Sequence, residues 1–257
     1  MTRRDFILGF MGAGMAGGAV ARPVRSSIAA DSSIKGAEGW VNPYVTEGLI
    51  GFWDGEWNVA GGVHGDSAET WADLSGSGRD ATLSGTYSWG ENYWHVESVS
   101  GKGLATWPAQ NLGNDQTVEF VIAPISTSGF GRIIAEGGYI ASPIVSSGNS
   151  YLYMYGYGLD KGADIGNVIS RFNNTDKHLH QIVHPSGGQM YYYIDGVLAW
   201  TNTTTSDSTG ATIGYFANRA GYGRGIDADY FTMRRYNRVL TEEELAHNLS
   251  VDEGRFF

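Results

Sequence analysis

The closing stretch "DADYFTMRRYNRVLTEEELAHNLSVDEGRFF" (residues 227–257) changes texture at Leu240. Up to Tyr236 it reads as a strand, and from Leu240 to Leu249 its spacing predicts a short helix. Thr241 and Glu244 make a capping box, in which the Thr hydroxyl accepts from the backbone N–H of residue 244 and the Glu carboxylate accepts from that of 241. Leu240 before the cap and Leu245 at the fourth helical position are spaced for a hydrophobic staple. Glu242, Glu243 and Glu244 put negative charge at the positive end of the helix dipole, so they read as helix-start residues before they read as a metal or catalytic cluster. Leu245 and Leu249 share a face. A helix this short is marginal alone and has to lean on a larger body.

That body reads as strands. The chain has 257 residues, 38 of them Gly, with 8 Trp, 15 Tyr and 10 Phe, a composition suited to sandwich strands joined by tight turns. Short apolar or alternating runs bounded by Gly, Asn, Asp and Ser recur from Tyr44 onward: Leu49–Trp53, "TVEFVIAP" (117–124), "YLYMYGYG" (151–158), "HQIVHP" (180–185), "MYYYIDGVLAW" (190–200) and "ATIGYFA" (211–217) among them. Asp195-Gly196 between two such runs is a two-residue hairpin signal. No repeat and no domain boundary is visible after residue 44, so one all-β sandwich is expected. The net charge of −10 argues against nucleic acid and anionic membrane surfaces as partners. The absence of Cys removes disulfides and thiolate chemistry.

Residues 1–30 read as a signal peptide with its processing region, and 31–43 as a linker to the domain at 44–257. The basic start, the Gly/Ala-rich apolar run and Ala19-Val20-Ala21 fit an export signal, cleaved after Ala21 or Ala29. Arg3-Arg4 within "TRRDFI" resembles the twin-arginine motif. The expected location is periplasmic, cell-surface or extracellular in a bacterium, with no membrane span in the mature chain.

Three segments carry a family resemblance: "GLIGFWDG" with "TWADLSGSGRDATLSG" near the start, "TVEFVIAP" and "YYYIDGVLAW" in the centre, and the closing "DADYFTMRRYNRVLTEEELAHNLSVDEGRF". Together they resemble a laminin-G-like domain of the concanavalin A-like lectin/glucanase superfamily. The resemblance implies a jelly roll of two antiparallel sheets whose last strand returns beside the first. It also implies a terminal helix packed over a sheet edge or the convex face. Arg235 departs from it, since such closing strands usually carry an aliphatic residue there. In many relatives a structural calcium joins the early loop to the closing strand. Carried over by position, its ligands would be Asp229 with Asp73 or the carbonyl of Gly76, oxygen donors of the kind Ca²⁺ takes. The alternative for Asp73 is that it holds its own "DLSG" turn. No cofactor is required otherwise.

Catalysis finds little support. Retaining glycoside hydrolysis needs two carboxylates about 5 Å apart, and the glucanase branch supplies them as Glu, Asp and Glu at alternate positions of one strand. No E-x-D-x-E run occurs here, and Glu119 stands alone in its strand. No G-x-S-x-G turn is present either. His178 and His180 share a face near His184, a zinc pattern whose alternative is structural histidine. The Tyr rows carry the binding hypothesis: Tyr151, Tyr153, Tyr155 and Tyr157 line one strand face, and Tyr191 and Tyr193 another. Aromatic rings stack on the C–H faces of sugars and phenols bond their hydroxyls. The expected protein is an exported, non-catalytic module that binds a glycan or cell-surface polysaccharide. An adhesive protein–protein domain and a divergent glycoside hydrolase are the alternatives.

Overall fold

The computed structural model describes residues 41–58, 65, 67–98, 102–108, 115–125, 130–132, 134–136, 144–146, 151–152, 163–164, 176–186, 189–201, 213–218 and 225–257, with backbone alone for the strands between 130 and 164 and for 213–215. In chain order the elements are β1 (Leu49–Asp54), β2 (Thr70–Trp71), β3 (Ala81–Ser84), β4 (Thr86–Trp89), β5 (Trp94–Glu97), β6 (Leu104–Pro108), β7 (Gln116–Pro124), β8 (Phe130–Arg132) and β9 (Ile134–Glu136). They continue with β10 (Ile144–Ser146), β11 (Tyr151–Leu152), β12 (Ala163–Asp164), β13 (His178–His184), β14 (Tyr191–Ile194), β15 (Val197–Thr201), β16 (Ile213–Phe216), β17 (Ala228–Tyr236) and α1 (Glu242–Phe256).

An eight-stranded antiparallel sheet runs β15-β14-β13-β7-β17-β5-β4, with β1 also on β17. A five-stranded sheet, β2-β3-β6-β16-β9, packs against it, and a four-stranded ribbon runs β12-β11-β10-β8. The closing strand is central: one edge pairs with β7, while the other takes β5 at Ala228–Tyr230 and β1 at Thr232–Tyr236. The expected return of the last strand beside the first is therefore observed.

Strand alternation sorts the core. Val118, Phe120 and Ile122 of β7 join a cluster between the sheets that contains Trp53, Trp71, Trp94 and Trp107, all fully buried. Val121 and Glu119 of the same strand face α1 instead, through Phe256 and Asn248. The sequence pattern marks none of the strands β3 to β6. They are four or five residues long with every second residue buried at best, too short for alternation to stand out. Gly85 joins β3 to β4 at φ +76°, and a Cβ there would lie 2.4 Å from the Lys102 carbonyl oxygen, so the turn requires glycine.

The helix starts as expected, with Thr241 and Glu244 making both capping-box bonds. Glu244 also pairs with Arg238 at 2.6 Å. The helix ends later than Leu249, however, because its buried stripe continues through Asn248 and Asp252 to Phe256. Those polar members hide the stripe from a hydrophobicity reading. Removing the cap with Thr241→Ala is expected to cost about 1 kcal/mol in urea unfolding. A change below about 0.3 kcal/mol would show that Arg238 holds the helix start without it.

Candidate binding surface

The β14–β15 hairpin presents the Tyr side chains on which a binding reading depends. Its turn residues Asp195 and Gly196 take φ of 50° and 71°, the left-handed pair that a two-residue hairpin needs. Asp195 is pinned to the start of β13: its N–H donates to the Leu179 carbonyl, its carboxylate accepts from the Leu179 N–H, and it meets His178 Nδ1 at 2.8 Å. Burial alone would raise the Asp195 carboxyl, but His178 and the Leu179 N–H outweigh it and hold the group below its usual range. A Cβ on Gly196 would lie 2.6 Å from Leu249, so the hairpin tip also touches α1.

Alternation then splits the three tyrosines. Tyr192 points between the sheets, fully buried, and its hydroxyl shares a 2.7 Å hydrogen bond with His180 Nδ1. The His180 ring stacks on Phe120 at 4.8 Å, and burial, reinforced by His178, pushes its pKa down to about 3. Tyr191 and Tyr193 lie on the opposite, helix-bearing face, half-buried against a cluster that includes Val183 and Leu245. Tyr193 sits across from Leu198 of β15, which is 39% exposed. Burial, then the Glu242 carboxylate, raise the Tyr193 phenol, which places it by the first turn of α1. Sequence alternation separates these residues but does not say which side α1 covers, and neither Leu198 nor Glu242 carries a signal of its own. Tyr151 belongs to β11, described in backbone only, and Tyr153, Tyr155 and Tyr157 lie outside the described residues.

Beneath α1 runs a buried polar network that the sequence reading missed. Arg234 donates from Nε to Glu119 at 3.0 Å and from both terminal nitrogens to Asp252. Gln181 and Asn248 donate to the same Glu119 carboxylate at 2.7 and 2.6 Å. Tyr44 donates to Asp252 at 2.7 Å, and Arg255 joins Tyr44 to Asp54. Burial lifts the Glu119 carboxyl above its ordinary range, with Arg234 pulling against it. Burial also works against the Arg234 charge, but Asp252 and Glu119 prevail and fix it more firmly than in a free guanidinium.

The residues carried over for calcium are not brought together. Asp73 accepts from the N–H groups of Phe52, Ser75 and Arg79, holding its own turn with both oxygens. Gly76 lies in that turn at φ +82°. Asp229 pairs with His95 at 2.7 Å on the neighbouring strand. Phe52, to which Asp73 is bonded, stands opposite Arg234, five residues along β17 from Asp229, a separation of about 16 Å along the strand. One site built from Asp73 and Asp229 does not fit this arrangement. Among the described residues no three His, Asp or Glu side chains gather to hold a metal ion; His178 and His180 are bonded to Asp195 and Tyr192 instead.

A laminin G family model, described as the concanavalin A-like lectin/glucanases superfamily, matches residues 99–246. The chain belongs to that superfamily. The lectin/glucanase fold recurs in solved structures of low sequence identity. The Trypanosoma rangeli sialidase superposes with a TM-score of 0.56 at 16% identity over 81% of this chain and 33% of its own. The receptor binding domain of a botulinum neurotoxin C/D mosaic serotype gives 0.58 at 15% identity, over 82% of this chain and 52% of its own. The binding domain of Paraclostridial Mosquitocidal Protein 1 gives 0.58 at 13%, over 80% and 52%. The chain thus spans about a third of the sialidase and about half of the two toxin structures. No curated protein matches it. In this lectin/glucanase chain, Glu119 faces α1 rather than the space between the sheets, with both oxygens held by Arg234, Gln181 and Asn248. No described helix is long and apolar enough to cross a membrane.

Proposed function

We propose that this superfamily member is an exported, non-catalytic glycan-recognition module that stacks a sugar on Tyr191 and Tyr193. The observation that carries the reading is the placement of these two rings. They stand side by side on one face of an edge hairpin, half-buried, with the exposed Leu198 beside them. Their rings offer an apolar surface to sugar C–H groups and their phenols offer hydrogen bonds to sugar hydroxyls. The engagement of Glu119 with Arg234 supports recognition rather than hydrolysis, because that carboxylate is fixed in an ion pair under the helix. The two toxin binding domains, alike in fold, are in keeping with a binding role, and the N-terminal pattern read above is the basis for export.

A glycan array probed with the full chain, with and without EDTA, tests this. The wild type is expected to bind at least one glycan class, unaffected by EDTA. The Tyr191→Ala/Tyr193→Ala variant is expected to lose about tenfold or more in affinity. Full affinity in the double variant would place the site elsewhere, and no glycan bound by the wild type would end the reading.

A further inference from the structure

Three contacts fix how α1 lies along the β14–β15 hairpin. At the tip, a Cβ on Gly196 would meet Leu249 at 2.6 Å. Further back, Gln181, the cross-strand partner of Tyr193, donates from Nε2 to the Leu245 carbonyl at 3.2 Å. Leu245 also belongs to the cluster against which Tyr191 and Tyr193 pack. The helix therefore runs beside β14 in the same direction, toward the tip. Glu242, three residues before Leu245, lies on the same helix face, about 4.5 Å back along the axis. Tyr191 lies about 7 Å back from Tyr193 along its strand. Glu242 is thus level with the stretch between the two rings. The electrostatics agree: burial, then Glu242, then Tyr191 raise the Tyr193 phenol, and no cation pulls it down.

The other charges at this end of α1 are answered differently. Glu244 is held by both terminal nitrogens of Arg238, at 2.6 and 2.8 Å, and Asp195 at the hairpin tip meets His178. Glu242 and Glu243 are exposed, and among the described residues neither has a cation paired with it. Lys177 stands at the far end of α1, over Phe231 and Phe256. A helix start by itself favours an anion, but here three carboxylates already occupy it.

We propose that Glu242 makes the Tyr191 and Tyr193 surface a site for sugars without acid groups, an inference that rests on the stacking reading above. A carboxylate only accepts, and its two oxygens suit two neighbouring hydroxyls of a ring laid on Tyr193. Bonds to a charged acceptor are also stronger than bonds between neutral groups. A sialic acid, uronic acid or sulfate in the same place brings a like charge to a half-buried surface, and repulsion excludes it. Stacking then supplies the affinity and Glu242 the choice.

A glycan array of matched pairs tests this: the same oligosaccharide with and without a sialic acid or sulfate, at about 0.15 M salt, where remote charges are screened. The wild type is expected to bind the neutral member about tenfold or more tightly than the acidic one. Glu242→Gln is expected to bring the two within about threefold, and Glu242→Lys to reverse the order. Glu243→Gln, about 100° further round the helix, is expected to keep the wild-type ratio. Both positions lie outside the capping box, so these variants retain the helix start. Equal binding of both members by the wild type, an unchanged ratio in Glu242→Gln, or the same change in Glu243→Gln overturns the proposal. The stacking reading survives any of these if Tyr191→Ala/Tyr193→Ala has lost its binding. Full binding in that double variant, or no glycan bound by the wild type, removes both.

Discussion

Arg234→Met is expected to destabilise the protein by about 3–5 kcal/mol, a third or more of the stability of an ordinary domain. The Arg234, Glu119 and Asp252 side chains are all fully buried. Removing this cation leaves the Glu119 and Asp252 carboxylates out of water without the partner that both now share. The loss is a cost of breaking the arrangement, not the net worth of the ion pairs. A variant that replaces all three groups by apolar residues is therefore expected to recover part of it. Recovery stops short of the wild type because Gln181, Asn248 and Tyr44 would lose the acceptors they now use. Urea unfolding followed by circular dichroism measures both variants, and a loss below about 1 kcal/mol for Arg234→Met would mean that water reaches the network. Release of α1 would also withdraw Leu245 from the cluster that supports Tyr191 and Tyr193, so glycan binding should fall together with stability.

What was legible in the sequence was what is local. Thr241 and Glu244 are three residues apart and Asp195-Gly196 are adjacent, so the cap and the hairpin could be read from spacing alone. The Leu stripe announced α1, but its second half was hidden because Asn248 and Asp252, polar residues, occupy the buried positions. Their partner Glu119 is 129 residues from Asn248, and Arg234 is 115 residues from Glu119. No pattern of spacing exposes such pairs until the sheet is assembled. Glu119 in the sequence was a lone carboxylate on a strand, which spoke against a catalytic pair but gave no sign of the partners it has under the helix. Arg235 was visible as a departure from the family pattern, while Trp107, the ring it faces between the sheets, was not. The two tyrosine faces could be separated by alternation, yet which face the helix covers depends on packing that alternation leaves undetermined.

Acidification from pH 7 to pH 4 is expected to remove about 3 kcal/mol more stability from the wild type than from His180→Gln. His180 is fully buried with a pKa near 3, whereas an unfolded histidine titrates near 6.5. Between those values the unfolded chain takes up a proton that the folded chain refuses, so stability is complete above about pH 6.5 and drains away as the pH falls. Gln at 180 can still bond the Tyr192 hydroxyl but carries no titratable group, so the difference between the two proteins isolates this residue. Groups that do not face His180 act on both proteins alike, whereas Asp195 feels its charge. Asp195, held low by His178, contributes stability that is lost only at more acidic pH. Glu119, raised by burial, works in the opposite sense and gives up stability as the pH rises through its folded value. Parallel pH profiles for the two proteins would mean that His180 accepts a proton in place, which requires an acceptor or water between the sheets beside Tyr192. A steepening difference below pH 6.5 instead ties acid lability to the ring stacked on Phe120, because its charged form cannot be solvated without opening the hairpin from β13.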